Sequence, residues 1–166
     1  MNVNMISPVI LTQSVLPSML QRGRGHIVNI ASVFAYETAS QLCDYASSKH
    51  AMRAFHNCLR AELQTRYAKN KIRTTIVYPG HIRTALFGTI RRPNALTRFL
   101  APQIEASDVV KRVIRALDKE TSEDIFVPMY GHVIPLLDAL PTWARDGLVK
   151  LSGANHAMET FIASAS

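Results

Sequence analysis

The sequence predicts an α/β protein built around a parallel sheet, and three observations predict it. Short apolar runs, "HIVNIAS", "IRTTIVYPG" and "DIFVP", alternate with longer stretches of helical periodicity. Glycine, proline or serine bounds these runs, as expected of buried strands. The resulting order is helix, strand, helix, strand, helix, strand, helix, which calls for parallel strands joined by right-handed crossovers. At 166 residues, 48% of them hydrophobic, the chain is long enough for one core.

Residues 3–21 place Met5, Val9, Ile10, Leu16, Met19 and Leu20 at helical spacing. Pro8 falls in the first turn, and Pro17 is expected to bend or tighten the end. "RGRG" breaks the helix, and "HIVNIAS" follows as a strand. Residues 33–43 read as a connecting loop. A long helix is expected from Asp44 to Ala68, with Ala51, Ala54, Phe55, Cys58, Leu59 and Leu63 on its apolar side. "IRTTIVYPG" is the second strand, stopped by Pro79-Gly80. Residues 81–104 read as irregular or as short helices. "SDVVKRVIRALDKET" is an amphipathic helix with Ser107 as its expected N-cap. "DIFVP" is the third strand, and the proline-broken tail is expected to be helical. Three strands are few for such a sheet.

Charge and composition narrow the function. Residues 1–100 hold 13 Lys/Arg against 3 Asp/Glu, while residues 101–166 hold 6 against 9. The cations are dispersed with few aromatics between them, so they read as solvated helix faces and nucleic-acid binding is not expected. Cys43 and Cys58 lack metal-type or C-x-x-C spacing and read as free thiols in a reducing compartment. The six histidines show no ligand spacing, so no metal is expected. The start lacks a basic n-region, so no signal peptide is expected, and no run approaches the ~20 apolar residues of a membrane span.

The chemistry centres on "YASSK". Tyr45 and Lys49 are one helical turn apart, on one face. A phenol titrates near pH 10, too high for a base at neutral pH, and a nearby ammonium favours the phenolate. Such a tyrosine can exchange a proton with an alcohol or carbonyl oxygen. The bland alternative is a core tyrosine beside a solvated lysine. Three further features bear on the choice. Ser32 lies just beyond the first strand, 13 residues before Tyr45, and strand ends are where parallel α/β sheets place their chemistry. Asn4 lies on the preceding helix, 28 residues before Ser32. "PGHIRT", Pro79 to Thr84, leaves the next strand at the same sheet edge.

These residues, with "VNMISPVILTQSVLPSM", "GRGHIVNIAS" and "VYPGHIRT", resemble the catalytic half of the short-chain dehydrogenase/reductase family over roughly the first 85 residues. The resemblance implies the C-terminal part of a Rossmann-like, doubly wound parallel sheet, with the N-terminal nucleotide-binding half absent. It implies one partial domain over 1–166: a catalytic segment, 1–85, and a substrate-side loop, helices and tail, 86–166. It implies hydride transfer between NAD or NADP and a carbonyl or alcohol carbon. Tyr45 would be the acid/base, and Lys49 would lower its pKa and hold the nicotinamide ribose. Ser32 would hold the substrate oxygen, and Asn4 would position a water linking Lys49 to solvent. Pro79, Gly80, Ile82 and Thr84 would line the cofactor, with Ile82 near its carboxamide and Thr84 near the carboxamide or the pyrophosphate. The family's dimer packs the helices equivalent to 3–21 and 44–68 against a second subunit.

From "LAPQIEAS" to "LPTW" the chain resembles retinol dehydrogenase-like and 17β-hydroxysteroid dehydrogenase-like members. That implies a lipophilic substrate and the cytoplasmic face of the endoplasmic reticulum or a lipid droplet, with the cytoplasm as the alternative. Leu136, Leu137, Leu140 and Trp143 would line a lipid-sized pocket, rest on a membrane or simply cover the sheet. The family's glycine-rich cofactor turn does not occur here. Relative to the family the chain begins in the fourth helix and omits four strands. The expectation is therefore a fragment of a larger enzyme, with the first strand's outer edge unpaired. A real short product with altered function is the alternative. Two other classes stay open: a non-catalytic dimerisation module and a peripheral membrane protein held by its tail.

Overall fold

Three strands form one parallel sheet in the computed structural model of the chain, which describes residues 1–83 and 102–152. Strand β1 (Arg24–Ile30) pairs with β2 (Lys71–Pro79), and β2 pairs with β3 (Asp124–Val127). β2 is the central strand, so it carries the most continuous apolar run; Ile76, Val77 and Tyr78 are fully buried. β1 starts at Arg24, two residues before the expected run, because Arg24 and Gly25 pair with Lys71 and Ile72. β3 stops before a cis Val127–Pro128 bond.

Helix α1 (Ser7–Arg22) is preceded by a single wide turn, Asn2–Ile6. Pro8 sits in its first turn, where a missing N–H costs nothing, and Pro17 lies inside the helix, which runs on to Arg22. Gly23, at φ 70°, ends it in the left-handed conformation that glycine adopts without strain. Together Asn2–Arg22 is long and apolar enough, by length and composition, to cross a membrane. That corrects the expectation that no such segment exists. Polar residues interrupt the run in sequence, but one continuous helix carries it.

Residues 33–43 are not all loop, since Val33–Ala35 form one 3-10 turn. Helix α2 (Cys43–Arg66) follows, and α1 and α2 lie on one sheet face. There Leu59 and Leu63 meet Ile27 and Ile72 with Leu16, Met19 and Leu20. Tyr36, Tyr78, Phe126 and Ile134 form a second cluster on that face, beside Ala31 and Ala35. The Tyr78 and Phe126 rings stack with centroids 4.6 Å apart. Helix α3 (Ala106–Asp118) covers the other face, with Val109 and Ala116 over Val77, Ile125 and Val127. Its N-cap is Glu105, not Ser107 as expected. Glu105 is extended and accepts from the Asp108 N–H, which leaves Ser107 inside the first turn.

The tail is helical as expected: a 3-10 segment Met129–Val133, then α4 (Ile134–Leu137) and α5 (Thr142–Ser152). Trp143 and Leu151 are mostly exposed. Among the described residues β1 lies at one edge of the sheet, pairing on one side only.

Candidate active site

Parallel strands deliver their C-terminal ends to one edge, and the expected site residues gather there. Ile30 ends β1 opposite Val77, and the Ala31 N–H donates to the Val77 carbonyl (2.8 Å). Ser32, the next residue, is buried and extended. Its hydroxyl accepts from the Phe34 N–H (3.2 Å) and so caps the 33–35 turn. Phe34 in turn presses edge-on against the Tyr45 ring at 6.0 Å between centroids. One short turn thus carries Ser32 and buttresses Tyr45.

Lys49 does not point to solvent. It is 9% exposed, and its ammonium donates to the Ile30 carbonyl at 3.3 Å. Nζ also lies 5.6 Å from the centre of the Tyr45 ring, within cation–π range. Burial favours the neutral amine and lowers the Lys49 pKa from its ordinary 10.5. A cation is therefore held beside the phenol by one backbone carbonyl. The bland alternative, core tyrosine and solvated lysine, does not describe this pair.

Asn4 reaches the same helix from the turn before α1. Its side-chain amide donates to the Ser48 hydroxyl (3.1 Å), which donates to the Tyr45 carbonyl (2.6 Å). Ser48 is fully buried and ties Asn4 to α2. It stands inside "YASSK", yet nothing in its spacing marks it, because its partner is 44 residues away.

Gly80 leaves β2 with its N–H on the Val127 carbonyl (2.7 Å). Ile82 bridges to Ile104, with the Arg83 N–H on the Ile104 carbonyl (2.9 Å). The Ile82 side chain joins the cluster under α3. Pro79 is the last residue of β2. Thr84 lies outside the described residues, as do 85–101 and 153–166. Asn4, Ser32, Tyr45, Lys49 and the start of the 79–84 segment thus share one sheet edge. No group of three or more potential metal ligands occurs among the described residues.

Comparison with known proteins gives the class. Residues 1–95 match the family described as short chain dehydrogenase. The chain belongs to that family. It is 31% identical over 162 residues to an uncharacterized oxidoreductase of Saccharomyces cerevisiae, covering 96% of this chain and 52% of that one. It is 38% identical over 131 residues to human 17-beta-hydroxysteroid dehydrogenase 13, covering 79% of this chain and 41% of that one. The chain thus spans about half the length of these relatives, or less. Among solved structures it resembles 4-hydroxyisoleucine dehydrogenase complexed with NADH and succinate. The TM-score is 0.62 at 26% identity, over 76% of this chain and 54% of that one.

Proposed function

We propose that this chain carries the catalytic residues of an oxidoreductase that transfers hydride between NAD or NADP and a lipophilic alcohol, ketone or aldehyde of retinoid, steroid or fatty-alcohol type. The observation that supports it most is the buried Lys49 ammonium held beside the Tyr45 ring at the strand edge where Ser32 emerges. The name of the human relative lends support to a steroid-type substrate, and the NADH-bound structure to a nicotinamide dinucleotide.

The residues present fit the nicotinamide end of such a cofactor. Lys49 has three N–H donors and gives one to Ile30, which leaves donors for a ribose hydroxyl. Pro79, Gly80, Ile82 and Thr84 would line the same end. The dinucleotide, when bound, accepts or gives the hydride. Tyr45 gives or takes the proton at its phenolic oxygen, and the Lys49 charge favours the anionic form of that oxygen in the transition state. Ser32 donates a hydrogen bond to the substrate oxygen as negative charge gathers there. Asn4, through Ser48, fixes the first turn of α2 and with it Tyr45. A water held by Asn4 would link Lys49 to solvent.

The exposed apolar side chains Ile10, Leu11 and Val15 on α1 support a homodimer formed through α1 and α2. Leu136, Trp143 and Leu151, all exposed, support contact of the tail with a membrane or lipid-droplet surface, cytoplasmic side. The reaction is tested by following NADH and NADPH absorbance while the full-length protein meets all-trans-retinal, oestrone and decanal. Dinucleotide oxidation with one of them is expected. Its absence with all three, under both dinucleotides, contradicts the reading.

A further inference from the structure

Arg53 lies one turn beyond Lys49 on α2, and no part of the reaction described above uses it. Its guanidinium lies flat enough to sit 3.5 Å from the centre of the Tyr36 ring. The same group donates to the carbonyl of Ala35 (3.2 Å), a fully buried residue, and to the Asp138 carboxylate (3.1 Å). These three partners come from two separate segments. Ala35 and Tyr36 belong to the turn that starts at Ser32, where the Ala35 N–H bonds the Ser32 carbonyl and the Tyr36 and Glu37 N–H groups bond that of Val33. Asp138 caps α4 in the tail.

We propose that Arg53 is a positioning residue. It fastens the Ser32 turn to the helix that carries Tyr45 and Lys49, and through Asp138 it fastens the tail to both. The inference rests on the hydride-transfer reading of those three residues. The geometry explains why an arginine is needed. A planar guanidinium can stack on a ring while its N–H groups serve two acceptors; an ammonium cannot do all three. The tail is held at a second point as well, where His132 meets Phe126 (4.9 Å) and Phe126 meets Tyr36 (5.7 Å). Arg53 therefore closes a ring of contacts from α2 through the Ser32 turn and β3 to the tail. Loss of alignment between Ser32 and Tyr45 slows the chemical step itself, since small misplacements of reacting groups are costly.

Two readouts test this with Arg53→Lys, Arg53→Met and Asp138→Asn. Amide hydrogen exchange of the chain reports the clasp. Exchange at Ala35, Tyr36 and Glu37 should accelerate at least ~tenfold in both Arg53 variants and less in Asp138→Asn, with Ile76, Val77 and Tyr78 unchanged. Unchanged exchange at 35–37, or equal acceleration in β2, overturns the proposal. Kinetics of the full-length protein, with retinal and oestrone and dinucleotide deuterated at the transferred position, report the alignment. The Arg53 variants should lose ~tenfold or more in kcat with dinucleotide KM within about twofold, and the isotope effect on kcat/KM should rise. A lower kcat with an unchanged isotope effect means fewer folded molecules and overturns the positioning role. A wild-type protein without turnover overturns the hydride-transfer reading instead, and the exchange result then decides the clasp separately.

Discussion

His56 shows how much a single buried residue constrains this fold. It is fully buried on α2, its Nδ1 side paired with the Asn29 amide (3.0 Å) and its Nε2 side with Arg60 (2.9 Å). The Arg60 guanidinium can only donate, so Nε2 accepts and the single proton of the neutral ring is on Nδ1. The Asn29 atom 3.0 Å from Nδ1 is its amide nitrogen, so Nδ1–H donates to Asn29 only with the amide turned to present its oxygen. Burial, and next the Arg60 charge, push the His56 pKa from 6.5 down to about 4. The unfolded chain therefore binds a proton that the folded one refuses between those values. Stability from this group is fully present above pH 6.5 and lost as pH falls through the window to about 4. The difference amounts to about 3 kcal/mol. His26, also lowered by burial, adds in the same direction. Urea unfolding at pH 7.5 and 4.5 should show this loss in the wild type, and His56→Gln should remove most of that increment.

At the scale of elements, α2 is seated by a basic stripe. Lys49, Arg53, His56 and Arg60 recur at four-, three- and four-residue steps, so they share one face. Each finds a partner on the strands, the Ser32 turn or the tail: Ile30 for Lys49, Ala35 and Asp138 for Arg53, Asn29 for His56, Thr74 and Asp124 for Arg60. This is the part that apolar periodicity misread. Ala54 and Cys58, expected on the covered side, are exposed, while Ser48, Lys49 and His56 are buried. The partners lie 14 to 85 residues away, beyond any local pattern. The strands were legible because short β-branched runs between breakers have few other solutions. The Tyr45–Lys49 pair was legible because both members share one helix. α1 and β1 meet closely at Gly25 and Met19. A Cβ added at Gly25 would stand 2.5 Å from the Met19 sulfur and 3.0 Å from the Met19 Cβ. Gly25→Ala should therefore cost about 1–3 kcal/mol in chemical denaturation, and Met19→Ala in the same chain should recover part of it.

For the whole molecule, the candidate site residues lie at one edge of the sheet, and exposed apolar side chains lie on α1 and the tail. Ile10 and Leu11 are each more than half exposed, and they sit on the helix whose other side covers Ile27. Exposed apolar patches on a helix surface are found at protein–protein and membrane contacts alike. If α1 and α2 form it between two copies, Leu11→Glu with Val15→Glu should convert a dimer to a monomer in light scattering, with little change in the far-ultraviolet spectrum. An unchanged mass would place the contact elsewhere. The central claim concerns one oxygen: the Tyr45 hydroxyl, beside the buried Lys49 ammonium, exchanges the proton of the reaction. Its most direct test is kcat/KM for the full-length protein against Tyr45→Phe, which removes that oxygen and keeps the ring that Phe34 and Lys49 contact. A fall of about 10²- to 10⁴-fold with unchanged folding is the expected result. Undiminished turnover in the phenylalanine variant would contradict it.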